Sequence, residues 1–195
     1  YNRESHVIYP PVEVEQFSLQ ENKDDYYFTA SRMVPYKKTE LIVRAFNEMP
    51  NKKLVVAGDG PDFNKIKKIA KPNIELVGFI SRDELKNYMQ NAKAFVYAAE
   101  EDFGIVPVEA QACGTPVIAF GKGGLNETVI HNETGVLYKV QEITEIVNAI
   151  AYFESLKLSP ENIRTHSLKF SKERFQKELK HFVEDKYEVF RRNMI

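Results

Sequence analysis

Glu101 and Glu109 are carboxylates with seven residues between them, in the run Glu100-Glu101-Asp102-Phe103-Gly104-Ile105-Val106-Pro107-Val108-Glu109-Ala110. Carboxylates grip hydroxyl-rich ligands, a ribose or a hexose, by accepting their O–H groups. Gly104 between them lets the backbone approach a ligand closely. A helix predicted to open near Pro107 leaves the N–H groups of Ile105 and Val106 pointing outward at its N-terminus, ready for an anion or a polar sugar edge. Glu109, read in the first turn of that helix, faces the same mouth as Glu101. An acid in a first turn can also do no more than offset the helix dipole, and for Glu109 alone that plainer role is the favoured one.

A second group follows a predicted strand: Ser31-Arg32-Met33-Val34-Pro35-Tyr36-Lys37-Lys38. Arg32 and Lys37 at a strand-to-helix junction would suit a diphosphate, Arg offering a fork and Lys a compact charge. The alternative is that both are solvated surface charges. Gly58-Asp59-Gly60-Pro61 reads as a structural turn with Pro61 opening a helix, and it lacks the third glycine of the dinucleotide fingerprint. Gly123 and Gly124 permit another close backbone approach. No Asp-x-Asp, closely spaced histidine pair or P-loop pattern occurs, so a diphosphate is expected to be neutralised by Arg32, Lys37 and a helix end, without metal.

These groups need a frame. Short apolar runs at 26–30, 54–57, 74–77, 94–97, 117–120 and 136–138 are apolar on both faces, as covered parallel strands must be. Helical stretches at 39–48, 61–70, 82–90, 107–113 and 125–130 alternate with them. Such alternation predicts an α/β, Rossmann-like, doubly wound parallel sheet of about six strands, whose ligands bind outside the strands' carboxyl ends. Ser81 followed by Glu84 reads as a capping box, and Gly114 with Pro116 as a helix end. From residue 142 onward the pattern is helical, over 144–156 and then from 171 to about 192. Phe175, Leu179, Phe182, Val183 and Phe190 form an apolar stripe that must be buried, against its own domain or against a partner domain outside the chain. Residues 1–20, with Pro10-Pro11, are expected to be an interdomain linker, 21–170 the sheet domain and 171–195 a carboxyl-terminal helix. The opening at Tyr1 reads as the middle of a longer protein.

Composition narrows the classes. A net charge of -1 gives no reason to expect nucleic acid, and 43% hydrophobic residues suit an ordinary globular domain. Cys113 is the single cysteine, which excludes disulfides within the chain and cysteine-cluster metal sites. No apolar run reaches the roughly 18 residues needed to cross a bilayer, and no signal-peptide pattern opens the chain.

The ordered set of loops resembles the carboxyl-terminal domain of GT-B glycosyltransferases, in particular the retaining enzymes of family 4. The likeness runs from Val7-Ile8-Tyr9-Pro10-Pro11-Val12 through Ser31-Arg32-Met33-Val34-Pro35-Tyr36-Lys37, Val56-Ala57-Gly58-Asp59-Gly60-Pro61 and Val77-Gly78-Phe79-Ile80. It continues to the paired-glutamate run 101–109 and ends at Gly123-Gly124 with Glu127. The resemblance implies the carboxyl-terminal half of a GT-B fold and assigns roles. Glu109 would bind the nucleotide ribose. Glu101, with backbone amides near Phe103, Gly104, Ile105 and Val106, would contact the transferred sugar. Arg32 and Lys37 would hold the diphosphate and stabilise it as the leaving group. Backbone groups near Gly78, Phe79 and Ile80 would receive the base. Arg32, Lys37 and Glu101 are thus the residues nearest the chemistry, discussed in this family as a front-face attack assisted by the leaving diphosphate.

The run 101–109 looks most like prokaryotic mannosyltransferases of surface polysaccharides, so GDP-mannose is the first expected donor and a UDP-hexose the second, as substrate, with no cofactor. The resemblance places the acceptor site for a glycan or lipid-linked acceptor in an amino-terminal domain that the chain lacks. The fragment alone is then expected to be inactive, and the protein cytoplasmic, or peripheral at the inner membrane face through that domain. Alternatives are a sugar-nucleotide-binding module without turnover, and a GT-B-type epimerase, for which no catalytic acids are identifiable. A dinucleotide dehydrogenase is disfavoured by the missing glycine fingerprint.

Overall fold

Six parallel strands form one sheet in a computed structural model that describes residues 5–192. They are β1 (Tyr26–Ala30), β2 (Lys53–Ala57), β3 (Ile74–Gly78), β4 (Ala94–Tyr97), β5 (Val117–Phe120) and β6 (Gly135–Tyr138), in the order β3-β2-β1-β4-β5-β6. The order reverses between β1 and β4, which makes their carboxyl ends the switch point of a doubly wound sheet. Phe28, Val55, Phe95, Val96, Val117 and Ile118 are all buried, because helices cover both faces.

One face is covered by α1 (Thr39–Asn47), α2 (Phe63–Ile69) and α6 (Ile143–Ser155), where Tyr27, Phe46, Leu54 and Ile150 pack together. The other is covered by α3 (Arg82–Asn91), α4 (Ile105–Ala112), α5 (Leu125–Thr128) and α7 (Pro160–Ser167), around Phe28, Phe95, Val108 and Leu125. The α3 capping box forms as its sequence requires: Ser81 Oγ accepts from Glu84 N at 3.3 Å, and Glu84 Oε2 accepts from Ser81 N at 2.8 Å. Below the sheet, the Lys23 ammonium donates to the carbonyls of Gln90 and Cys113 and to Thr115 Oγ1, tying together the C-terminal ends of α3 and α4.

Several expectations are corrected. Helix α4 opens at Ile105 rather than near Pro107, because Gly104 takes a left-handed conformation (φ 89°) that only glycine adopts cheaply. Helix α2 starts at Phe63, after a turn at 60–62 closed by Phe63 N to Gly60 O, 3.0 Å. Helix α7 was not expected, although Ser159 caps it and Pro160 occupies its first turn. Within the expected linker, Val12, Val14 and Phe17 are buried in the core, and Val12 N donates to Phe170 O at 2.9 Å. The last helix, α8 (Lys172–Arg192), buries none of its residues. Leu179 is 40% and Phe190 59% exposed while Phe175 and Phe182 are half-buried, so its own domain covers the stripe only in part. Its attachments are few: Phe182 stacks on His6 at 5.1 Å, and Arg174 donates to Tyr9 O at 3.1 Å. Residues 1–4 of the expected linker and 193–195 of the expected helix lie outside the described residues.

Candidate functional site

Four loops meet at the carboxyl edge around the switch point, and backbone contacts that only glycine tolerates hold them. After β1, Ser31 N donates to Ala57 O at 3.2 Å and Met33 N to Asp59 O at 2.9 Å. A Cβ on Gly58 would stand 1.9 Å from Ser31 O, so this glycine turn is structural and props the loop that carries Arg32. After β4, Gly124 N donates to Glu101 O at 2.7 Å, and a Cβ on Gly124 would stand 2.4 Å from Asp102 O. Gly123 and Gly124 therefore make their close approach to the chain's own acidic loop.

Glu101 lies midway along that loop, opposite the 3-10 turn Pro35–Lys37. Lys37 Nζ is 2.5 Å from Glu101 Oε1 and 3.1 Å from the Tyr97 hydroxyl, which itself donates to Glu101 Oε1 at 2.9 Å. Lys37 is thus not a solvated surface charge: its side chain is 16% exposed. Burial alone would lower its pKa, but hydrogen bonds to Glu101 and Tyr97 outweigh it and hold the ammonium well above the usual lysine value. Burial pushes the Tyr97 phenol up to about 12, so it keeps its proton. Arg32 is exposed and makes no ion pair among the described residues. It lines a separate cleft of about 400 Å³ with Asp59, Phe79, Ile80 and Leu85. Lys37 is not part of that lining.

Glu109 is the fifth residue of α4, past the first turn in which it was expected, and is 5% exposed. Its Oε1 lies 2.9 Å from Arg82 at the start of α3. Burial raises its pKa above the usual carboxylate range, and Arg82 partly opposes this. Glu101 and Glu109 therefore each carry their own cation. Ahead of Glu109, the N–H groups of Ile105 and Val106 find no acceptor among the described residues, and Pro107 has no N–H to offer. Phe103 turns its ring inward against Tyr9 and Phe170, leaving only its backbone for a ligand. Phe79 is 86% exposed at the cleft mouth, beside Gly78 in a left-handed conformation (φ 72°).

Arg82 and Tyr97 were not singled out from sequence. Each had a faint signal: Arg82 is the first residue after a helix cap, and Tyr97 ends a strand at the edge where ligands bind. Glu127, the last residue of the quoted likeness, lies near the Tyr9 hydroxyl and raises that phenol's pKa.

A parallel sheet of this order, with acids and cations at its switch point, defines a doubly wound α/β domain. The family model for glycosyl transferases group 1 matches residues 12–170, and the chain belongs to that family, whose architecture is GT-B. An uncharacterized glycosyltransferase of Methanocaldococcus jannaschii is 34% identical over 86% of this chain and 50% of its own length. The GDP-mannose-dependent alpha-(1-6)-phosphatidylinositol monomannoside mannosyltransferase of Mycobacterium tuberculosis is 31% identical over 62% of this chain and 36% of its own. Among solved structures, Anabaena HepE in complex with UDP and glucose superposes with a TM-score of 0.78 at 20% identity, over 92% of this chain and 56% of that one, which shows the shared fold. The chain spans about half or less of the length of these curated relatives. Among the described residues no helix is long and apolar enough to cross a membrane.

Proposed function

We propose that this chain is the nucleotide-sugar-binding half of a retaining, metal-independent hexosyltransferase, with GDP-mannose as the favoured donor. The observation that carries the reading is the ring of groups at the switch point: Arg32, Lys37, Glu101, Glu109 and the open amides of Ile105 and Val106 around one sheet edge. Glu109 accepts the ribose hydroxyls, and its burial makes an unsatisfied carboxylate oxygen costly, which favours a partner that donates. Glu101, with the backbone of Phe103, Gly104, Ile105 and Val106, takes the sugar. The cleft at Gly78, Phe79 and Ile80 takes the base.

Arg32 and Lys37 hold the diphosphate, on which negative charge grows as the glycosidic bond to phosphate breaks. Preorganised cations stabilise that charge, and loss of one should cost on the order of 3–4 kcal/mol of transition-state stabilisation. The acceptor, a glycan or lipid-linked sugar, docks on an amino-terminal domain absent from this chain, and the uncovered stripe of α8 is the surface that domain would cover. The protein would work in the cytoplasm, or through that domain at the inner membrane face. GDP-mannose is favoured over a UDP-hexose by the likeness to a GDP-mannose-dependent relative; the UDP in the HepE complex keeps the second donor in view. Competition between GDP and UDP for this chain tests the choice: tighter GDP binding supports the mannosyl reading, and tighter UDP binding overturns it.

A further inference from the structure

Tyr97 is the last residue of β4, with its ring buried and stacked on Phe95 at 6.0 Å and its hydroxyl at the sheet edge. That hydroxyl completes a closed triangle, accepting from Lys37 at 3.1 Å and donating to Glu101 Oε1 at 2.9 Å while Lys37 contacts the same Oε1. Two consequences follow. One carboxylate oxygen is held twice, which leaves Oε2 of Glu101 without a protein partner among the described residues and open to a ligand hydroxyl. Lys37 has three N–H groups and spends two inside the triangle, so a phosphate must take the third or draw the ammonium away from Glu101. Drawing it away would strip a carboxylate whose side chain is only 19% exposed of its cation, a costly step if nothing else holds that oxygen.

We propose that Tyr97 is a positioning residue of the donor site: it keeps Oε1 of Glu101 hydrogen-bonded while the Lys37 ammonium moves to the donor diphosphate, so that one cation serves carboxylate and phosphate in turn. The proposal rests on the sugar-nucleotide reading above. Tyr97 touches no reacting atom; it acts through Lys37 and Glu101.

The test is a double-mutant cycle on the chain, read by calorimetry with GDP and UDP. Tyr97→Phe keeps the ring and removes the hydroxyl, and should weaken the better-bound nucleotide about three- to tenfold. In a Glu101→Gln background, where no buried charge needs holding, the same change should alter binding less than twofold. Equal losses in both backgrounds, as mere packing damage would give, overturn the proposal, and so does no loss in either. Tyrosine Cζ labelling reads the same contact without mutation: the nucleotide should shift the Tyr97 resonance as Lys37 leaves its hydroxyl, and an unmoved resonance overturns it. An unmutated chain that binds neither nucleotide rejects the sugar-nucleotide reading itself and this inference with it, an outcome distinct from binding without coupling.

Discussion

Arg82 holds Glu109 Oε1 at 2.9 Å while its guanidinium lies over the Phe17 ring, 5.0 Å from the centroid. The buried acid of α4 is thereby tied to the start of α3 and to the segment that precedes β1, three parts of the chain far apart in sequence.

The pair makes a pH prediction. In the proposed function Glu109 accepts ribose hydroxyls as a carboxylate, and burial raises its pKa while Arg82 opposes the rise. Nucleotide binding should therefore weaken as pH falls through that raised value. Arg82→Ala removes the opposing charge, so the loss should begin at a higher pH, with neutral-pH binding weaker by about 1–3 kcal/mol. Calorimetry across pH 5–8 (about that span) checks it; an unchanged profile would show that Arg82 does not tune Glu109.

Glycine contacts predict which loops tolerate a side chain. Gly124→Ala sets a Cβ 2.4 Å from both Asp102 O and Phe103 Cα. It should cost about 1–3 kcal/mol in denaturant unfolding and weaken nucleotide binding, because the acidic loop must shift. Gly78→Ala meets nothing within 4 Å and pays only for its φ of 72°, about 1–2 kcal/mol. If Gly124→Ala unfolded at the same denaturant midpoint as the unmutated chain, the account of the loop would be wrong.

How far the sequence carried follows from which forces are local. The strands were legible because parallel strands covered on both faces are short unbroken apolar runs, as in Ala94–Tyr97 and Val117–Phe120. The capping box at Ser81 was legible because it lies within four consecutive residues, Ser81 to Glu84. Helix α7 leaves little trace in the sequence: among its eight residues only Ile163, His166 and Ser167 are buried, too few to show a period, and its local signal is confined to the Ser159-Pro160 start. The residue types of the site were visible, but their pairing was not. Lys37 and Glu101 are 64 positions apart, and no spacing pattern reports an ion pair set by the fold. The α8 stripe was legible as apolar, yet no residue of α8 is fully buried.

That stripe gives a third prediction. Leu179→Gln with Val183→Gln should leave the thermal stability of this chain within about 0.5 kcal/mol, since both side chains are already exposed. In a longer protein carrying the amino-terminal domain, the same changes should lower stability measurably. A large loss in this chain alone would place the stripe in its own core.

Glu154 sets a limb of acid stability. Burial alone would raise its pKa, but hydrogen bonds from Lys52, Lys93 and Tyr27 outweigh it and hold the value down at about 2, below the ordinary glutamate value of 4.5. A carboxylate with a depressed folded pKa adds stability above its unfolded pKa and loses it as pH falls through the folded one. The contribution should therefore fade between about pH 4.5 and about pH 2. Glu154→Gln should flatten that part of the stability curve, by on the order of 1 kcal/mol for so exposed a network. A parallel curve displaced by a constant amount would contradict the assignment.

The central claim is that the β1/β4 switch point holds a sugar nucleotide. Calorimetric titration of this chain with GDP-mannose, UDP-glucose and NAD, in the presence of a chelator, tests it most directly. The expected result is binding of a sugar nucleotide without divalent metal, weakened about tenfold or more by Glu109→Gln and by Lys37→Ala separately. Clear binding of NAD, with no response to either sugar nucleotide, would contradict it.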